Sequence, residues 1–456
     1  MSTRIAIETL AARTVGRLSR AAGRGGGTTL PGKLLWKLDP GAIDELASAL
    51  PAGTALISAT NGKTTTSAMS AQILARRHRL AWNHSGANLA SGVASTLLSA
   101  RNAELGLFEV DEFALPEIAR RLRPRAVALG NLFRDQLDRY GELEHIAERW
   151  RDAVARLDSE TALVLNADDP LVGDLGGRAA HVLRYGLDDP RRARPSLQHA
   201  ADSKYCLRCG APYAYEAAYV GHLGDYRCAA CGHARPPLDV AAREIELDGL
   251  AASEFDLVAP AGAARVRLPL PGLYNVYNAL AAASLSLSLG ASLDEVRAGL
   301  EGFGAAFGRF ERIAAGDRRI LMLLIKNPAG ANEAVRTLEE GGVPDVLVVA
   351  LNDAIADGRD VSWIWDVDFE PLAQADRLVV SGDRAAELAL RFAYGGFDRA
   401  RLEVVPSLEQ ALDRGLELVP AGGELAVLPT YTAMLRLRAI AAERGLVRPY
   451  WERAPA

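Results

Sequence analysis

The stretch Leu56-Ile57-Ser58-Ala59-Thr60-Asn61-Gly62-Lys63-Thr64-Thr65-Thr66 decides how the rest of the chain is read. A short apolar run, Ala55 to Ile57, leads into a turn of small residues, and the spacing that follows predicts a helix over 67–77. A strand, a tight loop and a helix N-terminus together make an anion cradle, because free backbone N–H groups and the helix dipole face the negative charge. Gly62 lets the backbone come close to a phosphate, with Thr60, Asn61 and Thr65 around it. Lys63 supplies a point charge for the β and γ phosphates, and the Thr64 hydroxyl suits Mg²⁺. The loop lacks the earlier glycine of the full Walker form, so a nucleotide site needs support from elsewhere in the chain.

That support lies at the tips of further strands. Leu105–Val110, Ala126–Gly130 and Ala162–Leu165 read as strands alternating with helices, the pattern of a doubly wound α/β unit from Pro51 to about Val182. Ligands of such sheets sit outside the carboxyl ends of the strands. The first tip carries Glu109-Val110-Asp111-Glu112, and a carboxylate there is a natural second anchor for a hard cation. The second carries Asn131 to Gly141, dense in hydrogen-bonding groups, and the third Asn166-Ala167-Asp168-Asp169-Pro170. Helices are expected over 275–289 and 293–300. After Ile313 a second, smaller, Rossmann-like unit is expected, with strands at Ile320–Ile325, Val346–Ala350, Arg377–Val380 and Glu424–Leu428.

The four cysteines of the chain fall in one segment, as Cys206-Leu207-Arg208-Cys209-Gly210 and Cys228-Ala229-Ala230-Cys231-Gly232. Two such knuckles match a tetrahedral Cys₄ zinc ribbon with no open coordination position, which folds its segment and does no chemistry. Two disulfides are the alternative, and a reducing compartment disfavours them. The expected organisation is an N-terminal helix and glycine-rich segment (1–50), a central ATP-binding unit (51–312) with the ribbon inserted at 202–236, and a C-terminal α/β unit (313–456). The run Gly23 to Lys33 is either a linker or a loop that approaches a ligand.

Composition excludes several classes. The 456 residues are 49% hydrophobic and 24% charged with a net charge of −5, which fits a globular protein and speaks against a nucleic-acid binder. Apolar runs fall short of the roughly 20 residues of a membrane span, and the arginine-studded segment Met1 to Arg20 lacks a signal peptide's apolar centre. A cytoplasmic protein is expected, able to work at the inner membrane surface.

Six segments in order resemble the motifs of the Mur ligase family: Ala59 to Thr65, Glu109, Asn131…Asp135-Gln136-Leu137-Asp138, Asn166 to Asp169, Gly272-Leu273-Tyr274-Asn275-Val276-Tyr277-Asn278-Ala279, and Gly308-Arg309-Phe310-Glu311. The resemblance implies an ATP-dependent ligase that activates a carboxylate as an acyl phosphate. It implies that Lys63 holds the phosphates and that Thr64 and Glu109 hold Mg²⁺. Asn275 and Asn278 would lie near the adenine or its flanking loop, Arg309 would reach the nucleotide from the domain junction, and Asp168 would belong to the same pocket. Gln136 and Tyr274 stand where the family pattern has histidine, the former at the second metal position, and the chain has no counterpart of the carbamylated lysine of many family members, so a single-metal site is expected.

Lys326-Asn327-Pro328, the run Leu351 to Asp366, Pro429 to Leu435 and the Cys₄ insert narrow the resemblance to one branch. That branch is the ligase subunit of lipid II isoglutaminyl synthases, partnered by a GatD-like class I glutamine amidotransferase. The resemblance implies amidation of the D-glutamate α-carboxylate of the lipid II stem peptide by ammonia from the partner, in peptidoglycan biosynthesis. It also implies that an aspartate of this chain completes the partner's Cys–His pair. Asp360 and Asp357 are the candidates, with Asp360 favoured beside Val361-Ser362-Trp363. Trp363 and Trp365 are either core or interface anchors. A stand-alone Mur or folylpolyglutamate-type ligase, and a nucleotide-binding scaffold, are the competing readings.

Overall fold

Apolar runs buried on both faces make parallel strands, and two such sheets organise this protein. The computed structural model describes residues 30–84, 86–100, 102–135, 143–176, 181–198, 201–304 and 309–448. The expected helix over 1–20, the glycines at 23–27 and Gln136 lie outside these residues.

The first sheet has nine strands: β1 (Thr54–Ser58), β2 (Leu80–Trp82), β3 (Leu105–Glu109), β4 (Ala126–Leu129), β5 (Ala162–Asn166), β6 (Val182–Leu187), β9 (Val240–Asp248), β10 (Ala252–Ala259) and β11 (Gly262–Leu268). Their order is β11-β10-β9-β6-β5-β4-β1-β3-β2, parallel from β2 to β9 and antiparallel at β10 and β11. The central strands β1, β3 and β4 are buried at every residue. In β10 burial alternates, the period of a strand with one wet face. The missing pair, β7 (Ala214–Val220) and β8 (Leu223–Arg227), forms a separate hairpin within the cysteine segment.

The helices around this sheet are α1 (Leu30–Leu38), α2 (Ala42–Ser48), α3 (Lys63–Leu74), α4 (Ala90–Ser99), α5 (Leu115–Leu122), α6 (Leu143–Val154), α7 (Leu273–Ser288) and α8 (Leu293–Glu301). Helix α3 begins at Lys63 and not at Ser67, because Gly62, at φ 86°, caps it directly after the loop. The largely apolar helix α7 is buried along nearly its whole length.

The second sheet has six strands: β12 (Arg309–Ala315), β13 (Arg318–Leu323), β14 (Val346–Ala350), β15 (Arg377–Ser381), β16 (Leu402–Val404) and β17 (Glu424–Pro429). The order β12-β13-β17-β14-β15-β16 is parallel except for β12. Helices α9 (Pro328–Gly341), α10 (Ala385–Tyr394), α11 (Leu408–Leu418) and α12 (Tyr431–Glu443) cover it. No helix among the described residues is long and apolar enough to cross a membrane.

Residues 30–33 are neither linker nor ligand loop: they form the first turn of α1. Leu35 and Ile43 are fully buried in one apolar cluster with Leu56 and Phe108 of the first sheet. Helix α1 approaches α4 so closely that the Gly32 N–H bonds the Ser95 hydroxyl at 2.8 Å, and a β-carbon at Gly32 would lie 1.9 Å from the Ser91 carbonyl oxygen. Overpacking of this kind costs about 1–3 kcal/mol. Gly32→Ala is therefore expected to lower unfolding stability by that amount, read as a lower denaturant midpoint, and an unchanged midpoint would mean that α1 packs elsewhere.

Candidate functional site

The loop between β1 and α3 brings a lysine out of water, and its surroundings compensate the charge. Lys63 is 7% exposed. Its ammonium donates to the Ala59 carbonyl, to the Thr60 carbonyl at 3.3 Å and to the Glu112 carboxylate at 2.7 Å. Burial alone would depress this lysine, yet Glu112, with Glu109 and Asp111 near it, holds the ammonium above its ordinary range. Burial likewise opposes ionisation of Glu112, and Lys63 and then Lys326 outweigh it, so that carboxyl sits below its ordinary value.

Glu109, at the end of β3, is 3% exposed. Its backbone is held by the Asn83 amide, and the Asn88 amide reaches its carboxylate at 3.5 Å. Thr64, half-buried, opens the same helix as Lys63. A carboxylate and a hydroxyl are the kinds of oxygen donor that suit Mg²⁺.

The loop is pinned from both sides. Asn131, at the tip of β4, accepts from the Asn61 N–H at 2.9 Å and donates to the Asn61 carbonyl at 3.1 Å, and the Phe133 N–H bonds the Thr60 hydroxyl. From the second sheet, the Asn327 side chain exchanges hydrogen bonds of 3.2 and 3.1 Å with that of Asn61. Lys326 pairs with Asp135 across the same junction at 2.6 Å. Burial pushes the Asp135 carboxyl up even with that lysine beside it.

Between the two sheets lies a cleft holding about 900 Å³ of empty space out to its mouth. Asn61, Gly62 and Thr65 form its floor, Asn275 and Asn278 of α7 one side, and Lys326 and Glu333 the other. Asn278 lies so near Gly62 that a β-carbon there would fall 1.9 Å from its Oδ1, which fixes this position as glycine.

One expected residue sits away from the cleft. Asp168 does not line the cleft: fully buried, it accepts from Arg235 at 2.9 Å, from the Leu187 N–H at 2.9 Å and from the Tyr277 hydroxyl at 2.6 Å. Its position at a strand tip is right, but both oxygens are consumed inside the protein. Tyr277, which it holds, does line the cleft. Arg309 opens β12, and its side chain lies outside the described residues.

The cysteines converge. Cys206, Cys209, Cys228 and Cys231 carry free thiols whose sulfur atoms all lie within 4.8 Å of one another, a set that could hold a metal ion. The knuckles repeat one turn: Gly210 N–H bonds the Cys206 carbonyl at 2.8 Å, and Gly232 N–H bonds the Cys228 carbonyl at 2.9 Å. Burial works against ionisation of Cys206, but the N–H groups of Arg208 and Cys209 draw its thiol down to about 5. Four sulfur donors so placed suit a soft metal.

The loop after β14 separates the two candidate aspartates. Asp357 is buried and locked, accepting from the Thr432 N–H at 2.8 Å and from the Thr432 hydroxyl. Asp360 is exposed, its carboxylate capping the Ser362 N–H at 2.9 Å, which lowers its pKa. Trp363 is half-buried, whereas Trp365 is exposed and packs edge-on against exposed Tyr394 at 5.9 Å.

The Mur ligase middle domain matches residues 57–221, and the MurT ligase C-terminal domain matches residues 324–434. Over 432 residues the chain is 34% identical to the lipid II isoglutaminyl synthase (glutamine-hydrolyzing) subunit MurT of Streptococcus pneumoniae, covering 93% of this chain and 94% of that one. The chain belongs to the MurT branch of the Mur ligase family. The MurT subunit of Staphylococcus aureus (strain N315) is 32% identical, again over 93% and 94% of the two chains. In fold it is similar to a pseudomurein peptide ligase type C from Methanothermus fervidus, with a TM-score of 0.69, 23% identity and coverage of 88% and 80%. Mur ligases are ATP-dependent, which agrees with the cradle and the cleft.

Sequence reading missed three members of this Mur ligase site. Glu112 was legible only as one of three acids in four residues, and the turn after β3 is what returns it to Lys63. Asp135 and Lys326 carried no signal of pairing, since 191 positions separate them.

Breaking one side of a buried ion pair costs about 3 kcal/mol. Glu112→Gln should lower stability at pH 7 by roughly that amount. The folded pKa of Glu112 is depressed, so its contribution is complete above the ordinary value of 4.5 and vanishes as pH falls through the lower, folded value. The variant should accordingly show a flatter loss of stability on acidification, read from denaturation curves at several pH values. An unaltered acid limb would show that the pair contributes nothing.

Proposed function

We propose that this chain is the ligase subunit of a glutamine-hydrolysing lipid II isoglutaminyl synthase. The observation that carries the reading is the full-length likeness to MurT subunits together with the Lys63 cradle beside an interdomain cleft. ATP occupies the cleft with its phosphates on the Gly62–Thr65 turn, flanked by Asn275 and Asn278, the latter beside Gly62 itself. An oxygen of the D-glutamate α-carboxylate attacks the γ-phosphorus and ADP leaves. Ammonia then attacks the acyl carbon, phosphate departs, one proton is lost, and the acid has become an amide.

Lys63 balances negative charge on the transferring phosphoryl group from a water-poor position, where such a charge acts strongly. Thr64 and Glu109 would hold Mg²⁺, which when bound neutralises phosphate charge. Cys206, Cys209, Cys228 and Cys231 would hold zinc in a closed, structural site. The partner is a GatD-type glutaminase that supplies the ammonia, and the compartment is the cytoplasm. The boundaries of the expected units, 51–312 and 313–456, belong to this reading.

Asp360 completes the partner's Cys–His pair, orienting its imidazole. Its exposure favours it over Asp357, whose oxygens are engaged by Thr432. Ile355, 70% exposed in the same loop, and the Trp365–Tyr394 pair provide apolar anchors for that partner.

Two measurements test this. Purified with a GatD-type subunit and given lipid II, ATP and glutamine, the chain should convert acid to amide, a loss of about one mass unit, and Lys63→Ala should abolish this turnover while retaining metal. Amino-acid addition instead would return the chain to the stand-alone ligases. Asp360→Asn should cut glutamine hydrolysis by the pair by a factor of 10² or more, about the scale of one catalytic proton-transfer group, with ATP binding intact. Full glutaminase activity in that variant would remove the role from Asp360.

A further inference from the structure

The cysteine segment does more than hang from the sheet. Its hairpin, β7–β8, reaches back into the cleft, where Val220 and Leu223 form part of the wall beside Phe133 and Tyr277. The tip is wedged between the two sheets' elements. His222, fully buried, packs on the Phe133 ring at 4.7 Å and faces Asp169 at 3.4 Å, while Asp169 in turn accepts from the Leu132 N–H. From the other side, Arg336 of α9 donates to the Tyr219 carbonyl at 2.9 Å.

A second connection runs through Asp168. Its carbonyl accepts from the Gly224 N–H of β8 at 2.9 Å, and its carboxylate joins Arg235, just past the second knuckle, to the Tyr277 hydroxyl in the cleft wall. Arg235 also bonds Asp225 of β8 at 2.9 Å. Strand β8 ends at Arg227, directly before Cys228. Tyr213 and Tyr226, with Cys206 and Cys228, make a small apolar cluster separate from the main cores. So small a cluster leaves the two knuckles dependent on a bound metal for a fixed arrangement.

We infer that the metal-holding Cys₄ segment is a positioning element for the nucleotide cleft: metal in the four thiolates fixes the β7–β8 hairpin, and the hairpin and Asp168 fix the wall against which the nucleotide packs. Metal and nucleotide sites are therefore energetically coupled. The inference rests on the ATP reading of the cleft and adds a role to a site that would otherwise only fold its own segment. Asp168 is a positioning residue within it, acting through Tyr277.

Coupling between sites is reciprocal, and typical couplings span roughly 5–150-fold. Zinc removal from the full chain with a chelator should weaken ATP binding about tenfold, measured by calorimetry. In the partnered enzyme, metal loss should raise KM for ATP by a similar factor while kcat moves far less. Saturating ATP should tighten zinc binding by the same factor in an equilibrium competition with a chromogenic chelator. Leu223→Ala, which leaves every thiol in place, should weaken ATP binding with zinc affinity in the absence of nucleotide unchanged, and this separates wall loss from collapse of the metal site.

ATP affinity that is equal with and without zinc, in a chain that keeps its secondary structure, would overturn the inference and leave the ATP reading standing. Equal ATP affinity in Leu223→Ala would overturn it as well. A zinc-loaded chain that bound no ATP would overturn the ATP reading, and the inference with it.

Discussion

The buried ammonium of Lys63 constrains everything around the strand tips. Desolvating an ion costs several kcal/mol unless partners surround it, and here the partners come from two loops, those after β1 and after β3. Ala59 and Thr60 turn their carbonyls inward, Glu112 returns after β3, and Glu109 and Asp111 add negative potential. Each loop must end where it does for the lysine to stay charged. The parallel sheet meets that demand because it delivers the carboxyl ends of β1, β3 and β4 to one edge in register. Anion-binding geometry is thus a consequence of satisfying one cation.

What the sequence made legible follows from burial. Strands β1, β4 and β14 are short apolar runs covered on both faces, and such runs announce themselves. The strands that escaped reading are those with mixed faces, little length or an edge position: the partly buried β6, the three-residue β2 and β16, the hairpin β7–β8, the meander β9–β11 and the edge strand β12. Helix α1 escaped for another reason. Pro31 and Gly32 look like breakers, yet proline is tolerated in a first helical turn and Gly32 is there for close approach to α4.

The site divides in the same way. Residues set by local motif, such as Gly62, Lys63 and the four cysteines, could be named from spacing alone. Residues set by topology could not: Asp135 and Lys326 meet only because β13 and α9 bring the second sheet across the cleft. Asp168 shows the limit of reading by position. A carboxylate at the tip of β5 is well placed for a ligand, but Arg235, Leu187 and Tyr277 already use it. Whether an acidic residue serves the solvent side or the protein side depends on what packs above it, and here that is the cysteine segment.

The same distinction separates Asp357 from Asp360. Three residues apart in one loop, they are equivalent by sequence pattern. The turn places Asp357 under Thr432 at the start of α12, where its carboxylate closes the loop onto the second sheet. Asp360 is then carried outward, and its cap on Ser362 fixes the carboxylate without burying it. Burial pushes the Asp357 carboxyl up, while the Ser362 cap pulls Asp360 down. The residue that faces solvent is the one whose carboxylate can reach a group on another molecule, and the locked one holds the loop that carries it.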